Sequence, residues 1–288
     1  MKTQQYIFAE YADHVLYKEL ASEEKDPRNK EALLKLAEQE HGHYLFWKQF
    51  MPDYQPAVSP FFLFRFRLMR RLCGLTFTIK FFERHEQVVV EEYERVAAQL
   101  SGDEKRQLES IIDDEKEHEN FFIGQIQETI IKYIGFIALG LADAIVEITG
   151  VHAGFLGVTN STLFAGISGL VVGFSAAISM GSAAYLQAKQ DPHRSAWVSA
   201  AATGISYIIS VVLLAIPYFL TRNMGLAFVC SIMVGMILIA LLTFYSAVVF
   251  DRRFLREFLE TVVLMLATAG ATFLLGTFLG KAFSIKPV

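Results

Sequence analysis

Glu40-His41-Gly42-His43 and Glu115-Lys116-Glu117-His118 share one pattern, a glutamate followed three residues later by a histidine. Residues three apart lie on the same face of an α-helix, so each pair directs a carboxylate and an imidazole to one side. The surface of an amphipathic helix produces a single pair of this kind easily. Two copies on separate helices favour a shared site between those helices.

Turn signals around these motifs divide the first 131 residues into helices. Asp26-Pro27, Met51-Pro52 and Ser101-Gly102 interrupt an otherwise helical pattern. We therefore expect a four-helix bundle. The predicted helices span about residues 3–25, 29–51, 72–100 and 103–131, and a longer crossover covers 52–71.

Such a bundle matches a known arrangement for binding two metal ions. Two helices each supply a Glu-x-x-His pair, and the other two helices each supply a glutamate. Carboxylate oxygens with one imidazole per metal suit iron, and manganese is also possible. We predict two iron ions per domain. The predicted ligands are Glu10, Glu40, His43, Glu83, Glu86, Glu115 and His118.

The rest of the chain has the composition of a membrane domain. Residues 1–132 hold 18 of the 26 Lys and Arg residues and 24 of the 30 Asp and Glu residues. Each apolar stretch that follows is long enough to cross a bilayer, which takes about 20 helical residues. The predicted fold is all-α, with a four-helix bundle at 1–131 and a five-helix transmembrane domain at 132–288. The predicted spans are about 133–158, 162–187, 196–220, 224–250 and 257–283.

Loop charges indicate the orientation of these spans. Positive residues concentrate on the cytoplasmic side of membrane proteins. Here they cluster on the side of the bundle, whereas Arg222 is the only basic residue in the opposite loops. We expect a cytoplasmic bundle without a secretory signal, and a C-terminus outside. The cytoplasmic cluster consists of Lys132, Lys189, Arg194, Arg252, Arg253 and Arg256.

Two acids lie within the first predicted span. Asp143 and Glu147 are four residues apart and share one helix face. Carboxylates in a bilayer are costly unless they face a polar path, so they indicate a cation pathway. Pairing with a buried base is the structural alternative, and His152 is the only such base well inside a span. Met180 in the second span offers a thioether to a soft metal ion.

The crossover contains the aromatic and basic segment 61–71, in which Phe residues alternate with four arginines. It could lie at the headgroup level of the inner leaflet. A contact between two copies of the chain is an equal alternative. The net charge of −4 gives no reason to expect nucleic-acid binding.

Residues 1–131 resemble the rubrerythrin and erythrin branch of the ferritin-like superfamily. The resemblance rests on Glu10, Glu40 to His43, Glu83 to Glu86, and Glu115 to His118. It implies a di-iron carboxylate site.

Residues 133–283 resemble the vacuolar iron transporter family. The matched features are Gly140 to Glu147, Ser179-Met180-Gly181 and Tyr185-Leu186. This resemblance implies a homodimer with a pore between the two first spans, and proton-coupled export of ferrous iron past Asp143 and Met180. The tandem order is similar to that of membrane-bound ferritin proteins of prokaryotes, which implies the inner (cytoplasmic) membrane.

The sequence departs from the transporter pattern at three places. Ala144 stands where the family usually has Gly, and Ala184 stands where an acid usually precedes Tyr185. The cytoplasmic helices that usually join the second and third spans are reduced to 189–194. The N-terminal bundle is a candidate replacement for that metal-collecting module.

These features predict a divalent metal transporter, with ferrous iron as the first candidate and a role in iron homeostasis. Metal would leave the cytoplasm in exchange for protons, and the bundle would capture it. A membrane-anchored ferroxidase or peroxidase is the alternative, with the spans as an anchor. In a third hypothesis the bundle is a metal sensor that gates the pore.

Overall fold

The computed structural model describes residues 2–84, 86–125 and 129–283, and the side chains within them except those of 86–88, 117–125 and 129–130. Within these residues all regular secondary structure is helical. This confirms the predicted all-α fold. The chain divides into two compact units, Met1–Glu128 and Thr129–Val288.

The first unit begins with a hairpin of two helices, and four further helices follow it among the described residues. The hairpin turns at Asp26, whose side chain accepts hydrogen bonds from the backbone N–H groups of Arg28 and Asn29 and so begins the second helix. The helices of this unit are α1 (Lys2–Glu23), α2 (Pro27–Lys48), α3 (Pro60–Cys73), α4 (Leu75–Glu83), α5 (Glu86–Ala97) and α6 (Gly102–Gln125).

The region between α2 and α6 differs from the expectation. The predicted crossover 52–71 contains helix α3, which begins where the Ser59 hydroxyl accepts a hydrogen bond from Phe62 N–H and Pro60 fills the first turn. Gly74 then takes a positive φ of 91° and separates α3 from α4. The predicted single helix 72–100 is therefore wrong at its start, and its remainder is divided into α4 and α5.

In the second unit, the described residues 129–283 form five helices that are long and apolar enough to cross a membrane. They confirm the five predicted spans, and the protein is an integral membrane protein. Ser161, Ser195 and Asn223 cap the N-termini of three of them through their side-chain oxygens. The helices are α7 (Thr129–Val158), α8 (Thr162–Ala188), α9 (Ala196–Leu220), α10 (Met224–Val249) and α11 (Phe254–Ala282).

Glycines set the close packing of α7 against its neighbours. A Cβ added at Gly140 would lie 2.2 Å from the Thr203 carbonyl oxygen of α9. A Cβ at Gly276 of α11 would lie 2.2 Å from the Gly154 carbonyl oxygen. Small residues let membrane helices approach closely in this way. The helix that carries Asp143 is thereby held on two sides.

Candidate metal centre and membrane acid pair

Four of the predicted ligands meet in the interior of the bundle. Helix α1 supplies Glu10, α2 supplies Glu40 and His43, and α6 supplies Glu115. One ligand atom of each lies within 4.8 Å of the others. The most exposed of the four, Glu115, has an exposed fraction of only 6%. The three-residue spacing on α2 therefore places both of its side chains in the core, as the sequence predicted.

The His43 ring lies at the centre of this cluster. Its Nδ1 atom is 3.0 Å from Glu115 Oε1, 3.4 Å from Glu40 Oε2 and 3.5 Å from Glu10 Oε2. Burial opposes protonation of the ring, but hydrogen bonds with Glu10, Glu115 and Glu40 outweigh it and raise the His43 pKa far above its usual range. A protonated His43 then balances part of the negative charge.

Glu10 is held in its protonated form near neutral pH. Burial raises its pKa to about 8, and the charges of Glu115 and Glu40 add to the effect, although the hydrogen bond with His43 opposes it. The Tyr93 hydroxyl donates a hydrogen bond to Glu10 Oε1. A divalent ion that binds here must therefore displace protons.

The other three predicted ligands are not among the four that meet in the described structure. Glu83, at the end of α4, accepts a hydrogen bond of 2.7 Å from the Tyr17 hydroxyl. The side chains of Glu86 and His118 lie outside the described residues. Their role in metal binding stays a prediction.

Asp13 is a candidate site residue that the sequence analysis missed. Burial raises its pKa, and the charges of Glu40, Glu10, Glu115 and Glu83 raise it further. It therefore lies within the field of the cluster. The sequence contains a signal for Asp13, because Glu10 and Asp13 have the same three-residue spacing as the Glu-x-x-His pairs.

The donor set fits a hard divalent metal ion. Three carboxylates and an imidazole converge in a buried core, and once Glu10 and His43 give up their protons the three buried carboxylates need a compensating cation. Glu10, Glu40, His43 and Glu115 would hold the ion. A bound iron ion would supply Lewis acidity and a one-electron redox couple at this position.

Aromatic side chains support the site from α1, α2 and α5. The Tyr93 ring lies 4.9 Å from Trp47 and 5.2 Å from Tyr6, measured between centroids. Tyr93 is fully buried, so its hydroxyl is fixed against Glu10. Hydrogen bonds to metal ligands orient them for binding.

We expect Tyr93→Phe to lower metal affinity by about tenfold, because Glu10 loses the donor that orients it. A chelator competition titration of the full-length protein with Mn²⁺ measures this. Tyr44→Phe is the matched control, since Tyr44 follows His43 on α2 but its ring packs against Tyr11 and His41. Equal affinities for the two variants would contradict a role for the Tyr93 hydroxyl.

In the membrane unit, Asp143 and Glu147 lie one turn apart on α7, where each is partly exposed and within the field of the other. The Tyr207 hydroxyl of α9 donates a hydrogen bond to Glu147 Oε2. Tyr207 is fully buried and was not singled out from the sequence. The Tyr207 hydroxyl is therefore the polar group that holds the Glu147 side chain in place.

His152 does not pair with either acid. Its ring is fully buried against Tyr218, with ring centroids 4.1 Å apart, and neither ring nitrogen has a hydrogen-bond partner among the described residues. The structural alternative of an acid paired with His152 is therefore excluded for the described residues. Met180 is partly buried against the helix-packing cluster that includes Tyr207.

We expect Tyr207→Phe to reduce metal flux about tenfold, because a hydrogen bond to a charged group contributes about 1.5–3 kcal/mol. Flux into proteoliposomes measures the effect. Tyr218→Phe is the control, since Tyr218 is a buried tyrosine on the same helix whose ring packs on His152 and not on an acid. Similar losses in both variants would indicate a packing defect.

Comparison with known families matches both units. The rubrerythrin family model matches residues 5–124, and the VIT family model matches residues 187–277. Asp143, Glu147 and Met180 precede the second range. Searches of curated proteins and of solved structures give no match. The chain thus joins a segment that matches the rubrerythrin family to a segment that matches the VIT family, and the two matches support a ferritin-like domain fused to a VIT-type membrane domain.

Proposed function

We propose that this protein moves divalent metal, with Fe²⁺ as the first candidate, out of the cytoplasm in exchange for protons. The observation that carries the proposal is the acid pair Asp143 and Glu147 on α7, a candidate membrane span that precedes the segment 187–277 matched by the VIT family model. Ionisable groups at that depth are costly and mark ion pathways. The buried carboxylate and histidine centre on the same chain supports a metal ion as the cargo.

The direction follows from the loop charges. Lys189 and Arg194 lie between α8 and α9, and Arg252 and Arg253 lie between α10 and α11. The positive-inside rule favours a cytoplasmic location for these loops, and therefore for the bundle that precedes α7. Five spans then place the C-terminus outside. Metal captured by the bundle therefore leaves the cytoplasm.

The two units have separate roles in this proposal. Glu10, Glu40, His43 and Glu115 capture metal at low concentration and release protons as they do so. The membrane acids then bind the cation, and their protonation from the far side releases it. We propose that the chain works as a homodimer, as its resemblance to the vacuolar iron transporters implies.

Transport into proteoliposomes tests the proposal. Vesicles with an acidic lumen should take up Fe²⁺ through copies whose bundle faces outward, and the lumen pH should rise as protons leave. Protein-free vesicles control for leakage. Absence of metal flux in the presence of the proton gradient would contradict the proposal.

The bundle's role as a capture site is tested separately with Glu40→Gln/His43→Gln. Loss of flux at low metal concentration, with normal flux at saturating metal, is expected for capture. If this variant keeps normal flux at low metal concentration, but its flux no longer changes with the cytoplasmic metal concentration, the sensor hypothesis would be favoured. The acid pair is intact in this variant, so the transport step itself is not altered.

A second function, a ferroxidase or peroxidase, is favoured by one observation. Tyr93, Trp47 and Tyr6 form a contiguous aromatic cluster next to Glu10. Such side chains can carry electrons or radicals away from a redox-active metal. Rapid peroxide-dependent oxidation of Fe²⁺ by protein that shows no metal flux would establish this function instead.

A further inference from the structure

Helix α3 has an apolar face that no other described residue of the first unit covers. Its opposite face is buried, where Phe62, Phe66 and Met69 pack against the core formed by α1, α2 and α4. The uncovered face is formed by large side chains with exposed fractions of 45–73%. These side chains are Phe61, Phe64, Leu68 and Leu72, and we call them the outer stripe.

The four arginines of α3 divide into two classes. Arg67 lies 2.7 Å from Glu19, and Arg70 lies 2.7 Å from Glu24, so both hold α3 onto α1. Arg65 and Arg71 are exposed and form no ion pair among the described residues. Only the first class is explained by the packing of the bundle.

The free arginines lie at the two edges of the outer stripe. At about 100° per residue the stripe covers roughly 80° of the helix surface, with Arg65 just beyond one edge and Arg71 just beyond the other. Helices that lie in a membrane interface bury an apolar face and keep cations beside it, at the level of the phosphates. The geometry of α3 is of this kind.

Charge also decides between a bilayer and a second copy of the chain. Helix α3 contains no Asp or Glu. A twofold contact of the outer stripe with itself would bring arginines against arginines. An anionic leaflet offers the complementary charge, and the five spans of the same chain keep a leaflet at high effective concentration.

We propose that the outer stripe, with Arg65 and Arg71, binds the surface of an anionic phospholipid bilayer. The contact would dock the bundle on the membrane through a helix that packs directly on α1 and α2, the helices that carry Glu10, Glu40 and His43. This proposal depends on the membrane domain and does not depend on transport.

Site-directed spin labelling of the full-length protein tests it. In a Cys73→Ala/Cys230→Ala background, one variant carries a nitroxide at Leu68→Cys and the control carries it at Leu34→Cys. The two leucines have matched exposed fractions of 45% and 46%. In anionic liposomes we expect the label at 68 to collide severalfold more with O₂ than with a water-soluble nickel chelate, and the label at 34 to show the reverse.

The charge requirement is tested with Arg65→Glu/Arg71→Glu, which should move the label at 68 toward water. Arg28→Glu/Lys30→Glu makes the same change of charge at exposed positions on α2 and should leave the label depth unchanged. Equal nickel accessibility at 68 and 34 in the parent would overturn the proposal. So would a label at 68 that is shielded from both reagents and shows dipolar broadening from a second copy, or a depth that is unaffected by Arg65→Glu/Arg71→Glu.

Discussion

Replacement of both membrane acids, Asp143→Asn/Glu147→Gln, is expected to reduce metal flux at least about 100-fold while the protein still inserts and folds. A divalent cation that enters a low-dielectric span needs anionic ligands to replace its water. The amides keep the size and polarity of the side chains but remove both charges. The amide oxygen introduced by Glu147→Gln would still accept the hydrogen bond from Tyr207, so packing against α9 is preserved.

Uptake of Fe²⁺ into proteoliposomes with an acidic lumen measures this effect. Glu260→Gln is the control, because Glu260 is an exposed acid near the start of α11 that pairs with Arg256. Its flux should equal that of the parent protein. Normal flux in the double variant would exclude the acid pair from the pathway, and equal losses in both variants would indicate a general effect of surface charge.

The elements predicted most closely from the sequence are those whose signal is local. Hydropathy over about 20 residues is sufficient to define a span, so α7 to α11 agree closely with the prediction. The Glu40 and His43 pair was predictable because three-residue spacing fixes the direction of both side chains within one helix. Long-range convergence with Glu10 and Glu115 followed from the known arrangement of such bundles.

The features that were missed depend on contacts between distant segments. Tyr93 meets Glu10, and Tyr207 meets Glu147, only because α5 and α9 pack at one particular register. Tyrosine is common in cores and membrane helices, so neither residue carries a signal of its own. Helix α3 is the exception, because its boundary signals, Ser59 followed by Pro60 and then Gly74, are local; it was missed because the segment 52–71 was assigned to a crossover.

The metal centre should show a steep pH dependence of binding. In the metal-free bundle Glu10 holds a proton up to about pH 8, and His43 is also protonated because its pKa is raised above the usual range. Metal binding requires the carboxylate and the neutral imidazole, so two protons leave. Each displaced proton changes the apparent affinity about tenfold per pH unit, so we expect about a 100-fold rise per unit between pH 6 and 7.5.

Chelator competition with Mn²⁺ on the full-length protein gives the slope directly. Glu10→Gln removes one titrating group, so its slope should fall to about tenfold per unit even though its affinity is lower at every pH. The same shift determines stability: a carboxyl whose pKa is raised in the folded state destabilises the metal-free bundle as pH rises toward 8. Bound metal should reverse that trend, because it stabilises the ionised carboxylates. A pH-independent affinity would show that the cation does not bind at Glu10 and His43.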